Sequence, residues 1–240
     1  MKRRAAGLLR RVIAGAAVCV LAVQMSACRA PQPSAAGVES SRRETAAMDA
    51  YYLPTCASCG TRLGIRGEAV EALSPEGQRR FCRAACRDAF EAEGPAARAR
   101  LEAVMIADQR PHYPTRASLV TGRALGPAPA AFIWGNRLFL ASDSGERNVI
   151  LADPVRFMRE LDRAVIAGKT ATYGMPMKCP VQGDILHGDA VIDLVIANRM
   201  VRVCCARCEA MVRSRPYQYL AIVDYANREK ARVGSDPHDD

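Results

Sequence analysis

Aromatic side chains are scarce in this chain, 5% of 240 residues with a single tryptophan, so a folded core must be small and largely aliphatic. No apolar run reaches the ~20 residues that a membrane-spanning helix needs. The longest, residues 12–23, is about a dozen residues long. There are only three histidines. No Ser-His-Asp spacing, no glycine-rich phosphate loop and no paired-carboxylate signature is found, which leaves no motif for the common hydrolytic or phosphoryl-transfer chemistries. Non-enzymatic function is the expectation. Half of the residues are nevertheless hydrophobic, enough for a packed fold.

The formal charge of +9 suggests a nucleic-acid partner until it is located. Lys2, Arg3, Arg4, Arg10 and Arg11 all precede Cys28 and have no acidic residue among them. Beyond that segment 29 basic residues face 25 acidic ones, a net of +4, and no nucleic-acid partner is expected on charge grounds.

The N-terminus has the order of an export signal: basic residues, the short apolar run, then Met25-Ser26-Ala27-Cys28. The Ser-Ala-Cys ending resembles a bacterial lipoprotein signal, although Met25 stands where leucine is usual. That resemblance implies a signal peptide over 1–27 and lipidation at Cys28. It further implies a membrane partner through the lipid and a place in the bacterial cell envelope. Arg29 after the cysteine favours the outer membrane, facing the periplasm, by resemblance to enterobacterial sorting rules. Residues 28–50 read as anchor and flexible linker, rich in Pro, Ser, Ala and charge without apolar periodicity.

An internal repeat follows. Gly60, Gly122 and Gly183 align, with Leu63, Leu125 and Leu186 three residues later and Cys56, Ser118 and Cys179 four earlier. Pro95, Pro154 and Pro216 also correspond, at a period of about 61 residues. The units are 51–110, 111–170 and 171–231, and 232–240 is a polar tail. Each predicts a glycine turn, a β-hairpin and a helix opened by proline, which suits the first helical position. In unit two the strands Ala131–Trp134 and Leu138–Leu140 meet through Gly135-Asn136. In unit three Val191–Ile196 and Met200–Val203 meet through Asn198-Arg199. Unit one shows a longer loop, Ser74–Gln78. The helix at Asp153-Pro154 should be capped by the aspartate, with Val155, Met158, Leu161 and Val165 on one face. The fold class is therefore α+β.

Eight of the ten cysteines lie within the units. In unit one Cys56 and Cys59 occupy the turn, while Cys82 ends the second strand and Cys86 follows at helical i+4 spacing. Four thiolates so arranged suit a tetrahedral soft metal, zinc or Cu(I). In unit three Cys179, Cys204 and Cys208 occupy matching places. Cys205 is extra, Gln182 replaces the Cys59 counterpart, and Cys205, His187 or water would complete the shell. In unit two the places fall on Ser118, Thr121, Ser142 and about Glu146, which should hold no soft metal.

Turn, hairpin and ligands at a helix start, with the pattern Cys-x(24–25)-Cys-x3-Cys, resemble the TRASH and YHS family of treble-clef metal-binding domains. Val203-Cys204-Cys205-Ala206-Arg207-Cys208 followed by Pro216-Tyr-Gln-Tyr-Leu220 carries the likeness most clearly. The resemblance covers residues 51–225 and implies heavy-metal binding, with roles in metal handling, sensing or resistance and no reaction.

Other readings stay open at this stage. An exported chain permits disulfides, and two disulfides in unit one would make a stapled envelope protein serving an unidentified envelope partner. Met175 and Met177 beside Cys179 would favour Cu(I) if they ligate, and otherwise pack beneath the turn. Asp184, His187 and Asp189 are the acid–base candidates near the unit-three site. His112 and His238 carry no motif.

Overall fold

The computed structural model describes residues 48–74, 76–175, 178–187 and 191–233. The export signal, Cys28, most of the linker, Met177, Asp189 and His238 lie outside them. Among the described residues the fold is α+β, with six α-helices and three two-stranded antiparallel sheets. No helix among them is long and apolar enough to cross a membrane.

The three units repeat in detail. Each opens on a turn closed by one β-bridge, Thr55 with Arg62, Ala117 with Ala124, and Lys178 with Ile185. The same backbone bonds recur: the amides of Gly60, Gly122 and Gly183 donate to the carbonyls of Cys56, Ser118 and Cys179 at 2.8–3.0 Å. Closing so tight a loop demands φ of +69, +70 and +76° at these glycines, the left-handed region that a Cβ disfavours.

A hairpin follows each turn: β1 (Val70–Ser74) with β2 (Gly77–Phe81), β3 (Ala130–Trp134) with β4 (Arg137–Ala141), and β5 (Ile192–Ile196) with β6 (Arg199–Val203). Every connection is two residues long. The longer loop expected in unit one is not observed, because Ser74 and Gly77 already pair across its ends. In unit three the turn lies at Ala197-Asn198, one residue before the expected place, and Arg199 joins the strand. Both turn residues have positive φ, as do Gly135 and Asn136 in unit two, matching the twist of a tight hairpin.

Two helices complete every unit; the sequence suggested one proline-opened helix per unit and, in unit one, a short helix with Phe90 beginning at Cys86. The short ones are α1 (Ala84–Glu93), α3 (Ser144–Ala152) and α5 (Ala206–Ser214). The longer ones are α2 (Pro95–Gln109), α4 (Pro154–Lys169) and α6 (Pro216–Val233). Each proline opens the long helix and disfavours helical geometry in the residue before it, which separates the pair. Asp153 caps α4 as expected, its carboxylate accepting from the Arg156 amide at 3.2 Å. The buried stripe of α4 is Phe157, Met158, Leu161 and Val165, with Val155 only half-buried.

The units stack in chain order, α2 against β3 and β4, and α4 against β5 and β6. One hydrophobic cluster runs through units one and three and takes in Val165 of unit two, and a second lies within unit two around Phe132, Phe139, Ile150 and Leu161. Arg137, 1% exposed, ties the stack together. Its guanidinium grips both oxygens of Asp49 at 2.7 and 2.8 Å, Asp162 at 2.9 Å and the Val195 carbonyl at 2.9 Å. Asp49 in turn accepts from the Ala197 amide at 2.7 Å.

Candidate metal centres

In unit one the turn, the end of β2 and the first turn of α1 bring four thiols together, as their spacing predicted. The Sγ atoms of Cys56, Cys59, Cys82 and Cys86 all lie within 4.8 Å of one another. Three separations are 3.7 Å (Cys59–Cys82), 3.5 Å (Cys82–Cys86) and 3.8 Å (Cys59–Cys86). A tetrahedron with Zn–S bonds of about 2.3 Å has edges of about 3.8 Å. The group therefore fits a four-thiolate metal site, and all four are free thiols. Cys56, Cys82 and Cys86 are buried and Cys59 is exposed at the rim. Hydrogen bonding from the side chain and then the backbone of Thr61 draws the Cys59 thiol down to about 6, whereas burial pushes Cys82 up to about 12. A cation entering this site would meet a ready thiolate at the rim and release protons from the interior.

In unit three Cys179, Cys204 and Cys208 form a second group within 4.8 Å that could hold a metal ion. Cys204 and Cys208 are 3.6 Å apart. A residue that spacing did not single out as a ligand stands beside this group: Gln182 Oε1 accepts from the Cys204 thiol at 3.3 Å. The signal was present in the alignment, since Gln182 takes the place of Cys59. Cys205 stands beside the group, 3.6 Å from Cys208 Sγ, but outside the set whose sulfurs are all mutually close. His187 is exposed and also lies outside it. The backbone amides of Gln182 and Val181 lower the Cys179 thiol against the opposing effect of burial.

Unit two shows what replaces thiols. Glu146, at the Cys86 position, points its carboxylate into the centre of the turn. Oε1 accepts from the hydroxyls of Ser118 at 2.8 Å and Thr121 at 2.9 Å, and Oε2 accepts from the Ser142 amide at 2.7 Å. The four positions that hold thiols in unit one thus hold a hydrogen-bonded carboxylate here. Those bonds, the Ser142 amide first, keep the Glu146 carboxyl below its ordinary range. Ser118 Oγ also accepts from the amides of Val120 and Thr121, so the hub shapes the turn.

Comparison of the chain with protein-family models, curated proteins and solved structures returned no significant match, so the metal-site geometry stands on this chain's own residues.

Proposed function

We propose that this protein is a non-enzymatic heavy-metal-binding protein, tethered to a membrane of the bacterial cell envelope through a lipid at Cys28. The observation that carries the metal reading is the set of sulfur separations in unit one, 3.5–3.8 Å. They suit the edges of a tetrahedron around a soft cation. The units are read as treble-clef-like, because turn, hairpin and helix start supply the thiols in that order.

The two sites are assigned different roles. Unit one, closed by four thiolates, is a structural site for zinc. Such a shell leaves no open position for a substrate, which supports the non-enzymatic reading. Unit three, with three thiols and the weak oxygen donor Gln182, is the site from which zinc or copper exchanges. Its metal is handed to or received from an envelope partner.

The test is elemental analysis with parallel thiol titration, on protein prepared with and without oxygen. One to two equivalents of zinc or copper are expected, and Cys82→Ser should remove about one. A metal-free protein with all eight thiols oxidised would overturn the proposal and leave a disulfide-stapled protein in its place.

A further inference from the structure

Among the described residues, Cys205 is the one free thiol outside both candidate metal groups. It is the N-cap of α5, as Arg83 is of α1 and Asp143 of α3. Cys208, Cys86 and Glu146 are the third residues of those helices. A side chain at such a cap reaches toward the third residue: in unit two the Asp143 carboxylate accepts from the Glu146 amide at 2.9 Å. In unit three the same placement sets Cys205 Sγ 3.6 Å from Cys208 Sγ, and no side-chain cap bond holds Cys205 elsewhere.

Cys205-Ala206-Arg207-Cys208 is thus a C-x-x-C pair opening a helix, an arrangement suited to exchange with disulfides. The two sulfurs differ in access. Cys205 is half-buried and followed by the exposed Ala206 and Arg207, whereas Cys208 is buried. A disulfide bond of ~2.05 Å needs the sulfurs to close by about 1.5 Å. Cys208 is also shared, since it lies 3.6 Å from Cys204 and belongs to the unit-three metal group. A bond to Cys205 subtracts it from that group and leaves Cys179 and Cys204, half of a tetrahedral shell. Unit one has no spare thiol: its four cysteines all belong to its own group, and Arg83 stands at the cap.

We infer that Cys205 and Cys208 form a reversible disulfide whose closure expels the metal of unit three while unit one keeps its own. This rests on the reading of unit three as the exchanging site. The oxidant is a small disulfide, RSSR. The Cys205 sulfur attacks it to form the mixed disulfide Cys205–S–SR, and the first RS⁻ departs with the Cys205 proton as RSH. Cys208 then leaves the metal and attacks the Cys205 sulfur. The Cys205–Cys208 bond forms and the second RS⁻ departs. Two cysteines have lost two electrons, and RSSR has gained them as two thiols.

The full chain, loaded with zinc, is treated with glutathione disulfide while a chromogenic chelator reports released zinc and peptide mass spectrometry maps the bonds. The wild type should lose about one of about two equivalents and carry a Cys205–Cys208 bond, and dithiothreitol should restore binding. Cys205→Ser keeps a good N-cap, so it should load the same zinc and release it at least ~10-fold more slowly. No release from the wild type, release from Cys205→Ser at the wild-type rate, or a mapped bond between another pair such as Cys204 and Cys208 would overturn the inference. Zinc content is read before the oxidant is added. A unit three that never loads zinc overturns the exchange-site reading instead, and the bond map of that protein still decides whether Cys205 pairs with Cys208.

Discussion

Glu146→Gln isolates the carboxylate hub of unit two with the smallest change of shape. In the wild type the carboxylate accepts three hydrogen bonds, from Ser118, Thr121 and the Ser142 amide. A glutamine has one acceptor oxygen and one amino group. If the oxygen faces the Ser142 amide, the amino group faces Ser118 Oγ, which already accepts two backbone amides and must donate its own proton. If the oxygen faces the hydroxyls, the amino group meets the Ser142 N–H instead. Either way one donor loses its acceptor, and the remaining bonds lose charge assistance. A bond to a charged group contributes ~1.5–3 kcal/mol against ~0.5–1.5 for a neutral one. The combined cost is about 2–4 kcal/mol of local stability. Hydrogen exchange resolved by segment is the assay, because it reads each unit separately. Amides of β4 and α3 should exchange roughly 30- to several-hundred-fold faster, since ~1.4 kcal/mol is tenfold. Acid supplies a second readout. The folded carboxyl lies below its unfolded value of ~4.3, so its contribution is fully present above that pH. It is lost as pH falls through the folded value, and Glu146→Gln should lack that loss. Exchange within twofold of wild type, or the same acid sensitivity in both proteins, would refute the hub.

Three further outcomes follow from other parts of the stack. Arg137→Met leaves the Asp49 carboxylate buried without its partner and should cost about 3–5 kcal/mol, read as a lowered melting temperature; Asp49→Leu combined with it should recover much of the loss. Gln182→Cys completes a four-thiol shell in unit three and should slow metal transfer from that unit to a chelator at least ~10-fold, leaving unit one unchanged. Gly183→Ala places a methyl where no atom lies within 4 Å but at φ of +76°, so its cost is conformational. It should be about 1–2 kcal/mol, seen as a lower midpoint in denaturant.

The linear chain fixes whatever depends on near neighbours. The glycine turns need φ above zero, the prolines start helices, and Cys56–Cys59 and Cys82–Cys86 are each spaced to place two sulfurs on one side of a turn. Those local rules set the repeat, the α+β class and the thiol clusters. The length of the β1–β2 connection and the register of the β5–β6 turn were harder to read, because cross-strand pairing of Ser74 with Gly77 and Ile196 with Arg199 decides them. What remained illegible is nonlocal. Asp49 meets Arg137 across 88 residues, and a charged residue in a strand carries no mark of burial until its partner arrives. Glu146 looked like a lost cysteine; only packing shows its carboxylate gathering the hydroxyls of Ser118 and Thr121. Gln182 and His187 were both polar groups near a three-thiol turn. Chain direction after Gly183 leaves His187 exposed, while Gln182, one residue before that glycine, faces Cys204. Spacing along the chain thus chose the thiols, and the stacking of the units chose everything that surrounds them.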